Sequence, residues 1–302
     1  MTLPIDSLSL QISTEYIATQ LMNGISLGMV YVLIALGLSL IFGTMGVINF
    51  AHGGMLLVGA YVAWWVTTLT GSHLAGFLAA PLVVLAVGVV IETAGLRRIY
   101  DESPLLQLLL TFGIAEILRE AVQIVWGRTG KFFPNPDWAS GTISLGFFTY
   151  PAYRVFLIVG TTCIILALYW FLTRTDTGII IRAGTMDREM VNALGINIFW
   201  LFTVVFGIGA ALAGLAGALV GPIRNLNPSL GVSLLIPAFV VVIVGGVGSF
   251  VGTVISGLAI GLIVVFAGIV APNVSNMVIY AFMAIILLVR PYGLFGEAGV
   301  LE

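Results

Sequence analysis

Residues 49–62 read NFAHGGMLLVGAYV, and 178 positions later residues 227–240 read NPSLGVSLLIPAFV. Aligned without a gap, the two segments share Asn, Gly, Leu, Leu, Ala and Val at six of fourteen positions, and Tyr61 stands opposite Phe239. Each opens on polar and helix-breaking residues and runs into an apolar stretch. The pair therefore reads as an internal repeat, and its orientation depends on how many membrane spans separate the copies.

The chain of 302 residues is 60% hydrophobic and 8% charged, with a mean hydropathy of +1.16. A soluble domain carries about 25% charged residues, so the composition points to a polytopic membrane protein. Crossing a bilayer takes roughly 20 apolar residues. Suitable runs fall at 17–42, 50–69, 74–92, 105–126, 152–172, 199–220, 233–248, 250–269 and 275–289. The glycines between 245 and 252 leave either one broken span or two short ones, so the count is eight to nine. The expected fold class is all-α: one membrane helix bundle over residues 1–302, with an inverted repeat and broken helices.

In the nine-span reading the first copy of the repeat runs outward and the second inward, which makes the repeat inverted. Asn49 with Gly53 and Gly54, and Asn227 with Pro228 and Pro237, are the expected helix breakers. In transporters such breaks flank the path, so Asn49, His52, Gly53, Asn227 and Gly231 are the candidates for the path or its gate. His52, in the segment FAHGG, either lines a pore or satisfies backbone groups at a helix start.

Basic residues favour cytoplasmic loops. With the N-terminus outside, Arg97, Arg98, Arg174, Arg182, Arg188 and Arg290 face the cytoplasm, while Arg128, Lys131, Arg154 and Arg224 face out. Residues 1–16 then form an extracytoplasmic segment, 173–198 a cytoplasmic loop and 290–302 a cytoplasmic tail. The stretch 127–151, rich in Pro, Gly and aromatic residues, is expected as an irregular external loop. No Lys or Arg precedes Arg97, so a signal peptide is not expected and the first span is retained.

Several functions are excluded by what the chain lacks. A net charge of -2 and the missing basic arm argue against nucleic acid. The single cysteine, Cys163, permits no intrachain disulfide, and no cysteine-based metal site is expected. A P-loop needs G-x-x-x-x-G-K-[ST], but the only lysine, Lys131, sits in GRTGKF. H-E-x-x-H does not occur, and His52 and His73 are separated by a span. The chain is therefore not an enzyme and carries no cofactor of its own. Energy comes from a partner or from a gradient.

Two polar segments interrupt this apolar background. Glu116, Arg119 and Glu120 share one helix face in the fourth span. A lone charge at mid-bilayer costs about 2.5 to 3.5 kcal/mol, so such groups pair and turn from lipid. They form either a structural ion pair or the relay of a gradient-driven transporter; the structural pair is favoured, because other helices offer no relay partner. The second segment, GIIIRAGTMDREMVNALGIN at 178–197, lies in the cytoplasmic loop. Asp187–Leu194 can make about two helical turns, stopped at Gly195, with Met186, Met190 and Leu194 on one face. That is an ordinary solvated loop or a docking helix for a partner's groove. Small residues at every fourth position, Ala210, Gly214 and Ala218, then Ala213, Gly217 and Gly221, then Gly257 and Gly261, indicate close helix packing.

Four motifs together resemble a known family. GVINFAHG (46–53), RAGTMDREMVNALGIN (182–197), NPSLGVSLL (227–235) and GGVGSFVG (245–252) are similar, in the same order, to the branched-chain amino acid ABC transporter permeases of the LivH type. The likeness extends from Leu21 to Phe295. It implies a permease in a prokaryotic inner membrane, forming half of a path with a second, LivM-like permease or a second copy. It further implies two cytoplasmic ATPases, which hold ATP and Mg, and an extracytoplasmic binding protein. In the family the cytoplasmic loop is the coupling helix, and Arg182, Ala183, Asp187, Glu189, Leu194 and Gly195 match its pattern. The chain departs from that pattern at Val191, where alanine is common, and at Asn192, where a basic residue is common. Leucine, isoleucine and valine are the implied cargo; urea and short-chain amides are the alternative within the family, and a gradient-driven carrier is the alternative outside it.

Overall fold

The computed structural model describes residues 14–296. Among these, each of the nine apolar runs becomes a helix: α1 (Thr14–Met45), α2 (Ala51–Thr70), α3 (His73–Ala94), α4 (Pro104–Trp126), α5 (Ala152–Arg174), α8 (Ile198–Val220), α9 (Leu230–Gly245), α10 (Phe250–Val270) and α11 (Ser275–Val289). Two shorter helices, α6 (Asp176–Met186) and α7 (Arg188–Ala193), lie between α5 and α8. Six of the nine are long and apolar enough to cross a membrane by length and composition. The other three are α4, which holds Glu116, Arg119 and Glu120, and α9 and α11, which are short. Most of the expected segment 1–16, namely residues 1–13, and residues 297–302 of the expected tail lie outside the described residues.

Local chemistry sets the helix starts. Ser72 accepts a hydrogen bond from Ala75 N–H, Ser103 from Leu106 N–H, Asn197 from Phe199 and Trp200 N–H, and Ser249 from Gly252 N–H. Each satisfies an orphan donor of a first turn. The glycine-rich boundary resolves as two helices, α9 ending at Gly245 and α10 starting at Phe250. The break in the first repeat falls earlier than expected: residues 46–50 are non-helical, whereas Gly53 and Gly54 lie inside α2. Pro237 is likewise carried inside α9 without ending it. These three residues are not breakers, because their neighbours continue the backbone ladder and, for the glycines, the missing side chain serves packing.

The repeat organises the packing. Shifting α1, α2 and α3 by 178 positions overlays them on α8, α9 and α10. The contacts follow the same exchange, since α1 packs on α10 while α3 packs on α8, and α2 meets α9. At the α2–α9 crossing the equivalent glycines face each other. A Cβ on Gly53 would lie 2.9 Å from the Gly231 carbonyl oxygen and 3.2 Å from Leu235 Cβ, and a Cβ on Gly231 would lie 3.4 Å from Leu57 Cβ and collide with the Gly53 carbonyl oxygen. Leu57 and Leu235 are themselves equivalent, so the contact is self-complementary, as at a two-fold axis. The stripe on α10 packs closely too: Gly257 meets Val32, and Gly261 meets Gly28.

The central helices α1, α2, α8 and α9 hold most of the buried side chains, while Leu82, Ile124, Leu166 and Leu288 are exposed on outer helices. Two ends of the bundle are distinct. One carries α6, α7 and the turn at Gly248, where Thr44 and Thr185 hydroxyls lie 2.9 Å apart. The other carries residues 127–151, with a short antiparallel hairpin, β1 (Thr142–Ser144) and β2 (Thr149–Pro151). That segment is strapped down. Trp64 Nε1 donates to the Phe132 carbonyl (3.2 Å), His73 Nε2 to the Pro134 carbonyl (3.0 Å), and Lys131 exchanges backbone hydrogen bonds with Leu226. Tyr150 in β2 donates to Asn23 Oδ1 (3.0 Å), beside Arg154, which donates to the same oxygen.

Candidate functional site

The residues expected to dock a partner gather on one short unit. After α5 the chain turns through Thr175, whose hydroxyl accepts from Gly178 N–H (3.1 Å) and starts α6. Helix α6 had no counterpart in the sequence reading, which expected helix only from Asp187. Arg182 and Ala183 are exposed on it, while Ile181 and Gly184 face the bundle, Gly184 against Leu201. Asp187 separates α6 from α7 and caps the latter, its Oδ1 accepting from Met190 N–H at 2.9 Å. Glu189 follows in the first turn of α7, where its charge complements the helix dipole. Gly195 closes the unit with φ +84, a conformation that side chains disfavour.

This unit leaves three large apolar side chains exposed. Met186 is 82% exposed and Leu194 73%, with Met190 exposed between them. Val191, on the opposite side, is buried in the core cluster. The two departures from the family pattern thus separate: Val191 fills volume inside, and Asn192 is exposed.

The path candidates converge only in part. Gly53 and Gly231 meet at the α2–α9 crossing. Beside them His52 is fully buried, its Nε2 donating to the Ile34 carbonyl oxygen (3.1 Å) while Nδ1 has no partner among the described residues. Asn49 is also fully buried, and neither polar atom of its side chain is paired there. Its repeat equivalent behaves differently. Asn227 stabilises a turn, accepting from Ser229 N–H (3.0 Å) and donating to the Asn225 carbonyl (3.1 Å). Because the copies run in opposite directions, the two asparagines lie on opposite sides of the crossing and do not meet.

The charged residues of α4 do pair. Arg119 bridges Glu116 and lies 3.8 Å from Glu120, which accepts from Gln123 Nε2 (2.9 Å). They do not point into the bundle of this chain: the side chains of Glu116, Arg119 and Glu120 are 36%, 39% and 47% exposed. The reason is that α4 packs on α2 with Ala115 and Leu118 against Gly54, which turns the charged stripe aside into an open cleft.

One cluster was missed from the sequence. Glu92, at the end of α3, is fully buried and accepts from Arg97 Nε and Nη2 (3.2 and 3.1 Å), Tyr100 Oη (2.7 Å) and Thr203 Oγ1 (2.8 Å). Burial, and then the bond to Glu92, push the Tyr100 phenol well above its usual range. The cluster joins α3 to α8, the helix that follows α7. The only signal was a Glu in an apolar run five residues before an Arg, and Thr203, over a hundred residues away, gave none.

Comparison with known proteins matches residues 20–287 to the model of the branched-chain amino acid transport system permease component. The chain is 31% identical over 295 residues to the high-affinity branched-chain amino acid transport system permease protein BraD of Pseudomonas aeruginosa, covering 93% of this chain and 96% of the relative. It is 30% identical over 299 residues to LivH of Escherichia coli K12, covering 94% and 97%. A probable branched-chain amino acid transport permease protein LivH of Methanocaldococcus jannaschii is 30% identical over 292 residues, covering 88% of each. No solved structure matches the chain.

Proposed function

The chain belongs to the family of branched-chain amino acid transport permease components, and from that premise we propose that it forms half of the membrane path of an ATP-driven importer of leucine, isoleucine and valine. The second half is another permease of the same family or a second copy. Two cytoplasmic ATPases, which bind ATP and Mg, dock beneath, and an extracytoplasmic protein delivers the cargo. The membrane is the plasma membrane of a prokaryote, with the N-terminus outside, the α6–α7 end in the cytoplasm and the hairpin end outside.

The observation that carries this reading is the α6–α7 unit. Met186, Met190 and Leu194 are exposed on a pair of helices too short to cross a membrane, and Asp187 caps the second of them. Exposed apolar side chains of that kind suit insertion into a groove, with Arg182 and Glu189 setting orientation. Behind it, Thr185 touches Thr44 at the end of α1 and Gly184 touches Leu201 of α8. Movement of the docked unit thereby reaches both members of the first equivalent helix pair. The two repeat units of each chain, tilting about the Gly53–Gly231 crossing, would alternate access.

The test is leucine uptake into proteoliposomes holding this chain, its partner permease and ATPases, with the loaded binding protein. Uptake should require ATP and persist when the proton gradient is collapsed. Glu189→Arg and Gly195→Arg should lower uptake and substrate-stimulated ATPase activity while the permease stays in the membrane. Uptake that stops with the gradient despite ATP, or full coupled activity in both variants, overturns the proposal.

A further inference from the structure

We propose that the polar stripe of α4, with Arg128 and the turn before α9, is a binding site for the charged ends of a free amino acid inside the path, in a seam closed by a second permease chain. This rests on the importer reading and names residues for it. Glu116, Arg119, Glu120 and Gln123 recur at helical spacing on one face of a membrane helix, yet the three charged side chains remain more than a third exposed. A neighbouring face of the same helix exposes Ile117, Ile124 and Val125, which suit lipid. Charges exposed to hydrocarbon are costly, so the polar stripe faces protein and water, and the described chain leaves that cover to a partner.

The stripe is one wall of a cleft of about 340 Å³ whose lining is Arg119, Glu120, Gln123, Arg128, Pro228 and Ser229. Its charges are only partly used. Glu116 engages Arg119 closely, whereas Glu120 stands 3.8 Å away and shares one oxygen with Gln123. Arg119 Nε is buried without a hydrogen-bond partner among the described residues. Glu120 therefore retains acceptor capacity for an ammonium group, and the exposed Arg128 retains donors for a carboxylate. The lining holds two guanidiniums and one carboxylate, and Glu116 outside it neutralises Arg119, so Arg128 and Glu120 offer one charge of each sign, as the two ends of a zwitterion require. The position also fits. Leu118, between Arg119 and Ile117, packs on Gly54, next to the Gly53–Gly231 crossing, and Arg128 extends the site toward the hairpin end.

The experiment uses the assembled transporter in proteoliposomes, in a Cys163→Ser background. Gln123→Cys should react with a membrane-impermeant cationic thiol reagent added from the hairpin side, and millimolar leucine should slow labelling about threefold or more. Glu120→Gln and Arg128→Gln should each lower maximal leucine uptake about tenfold, the scale of one charge-assisted hydrogen bond, without lowering the melting temperature. Wild-type vesicles that take up no leucine with ATP would overturn the importer reading. Wild-type uptake together with an unreactive thiol in the Gln123→Cys variant, labelling indifferent to leucine, or undiminished uptake in both charge variants overturns this site alone.

Discussion

Replacing Gly231 with alanine tests the repeat axis most directly. The added Cβ would collide with the Gly53 carbonyl oxygen and touch Leu57 Cβ at 3.4 Å. The collision is with backbone, so no rotamer relieves it, and α9 has to move away from α2 by a distance on the order of 1 Å. Forcing extra volume into a packed core costs about 1 to 3 kcal/mol. Alanine's better helix propensity returns at most about 1 kcal/mol, so the net loss should be roughly 0.5 to 2 kcal/mol. Gly113→Ala in α4 supplies the control, because a Cβ there has nothing within 4 Å and should be neutral or stabilising by a few tenths to about 1 kcal/mol. Reversible unfolding of both variants in mixed micelles, followed by circular dichroism, measures the difference. If Gly231→Ala proves as stable as Gly113→Ala, the crossing is looser than described and the self-complementary contact is not an axis. Since Gly53 and Gly231 share one contact, their alanine variants should also be non-additive when combined.

Glu92→Gln should destabilise the protein by about 1 to 3 kcal/mol, because it removes the charge that holds Arg97, Tyr100 and Thr203; solvent around Arg97 keeps the loss toward the lower value, and the same unfolding assay reads it. Asp187→Ala should loosen α7 by about 1 kcal/mol through loss of its cap, seen as faster hydrogen exchange at Met190 and Val191 with an unchanged melting temperature, whereas Asp187→Asn should retain protection. Stability should fall as pH rises above about 10, where an unfolded tyrosine releases its proton while Tyr100 is held neutral by burial and Glu92. Above that pH the unfolded state binds fewer protons than the folded one, so the slope is negative, and Tyr100→Phe should make it shallower.

The class of architecture was legible because apolar length is a one-dimensional property. All nine runs became helices, including the disputed pair around Gly245–Gly252, and the repeat read from fourteen residues proved to relate three helices to three others. Met186, Met190 and Leu194 are exposed, yet no single helix carries all three, because Asp187 divides α6 from α7 where the spacing suggested one face. The location of the break at 46–50 was not legible, because whether a glycine bends a helix or receives a neighbour depends on what lies across from it. Gly53 looked like a breaker and is a contact.

Which way a charged side chain points was also beyond local pattern. Spacing showed that Glu116, Arg119 and Glu120 share a face; the packing of Leu118 on Gly54 decided that this face opens into a cleft instead of the chain's own core. Glu92 found its partners across more than a hundred residues, on a helix brought alongside by the inverted repeat. Periodicity and hydropathy act along the chain and survive in any register of packing, whereas a carboxylate's partner, or a glycine's purpose, exists only once two distant helices have been laid against each other.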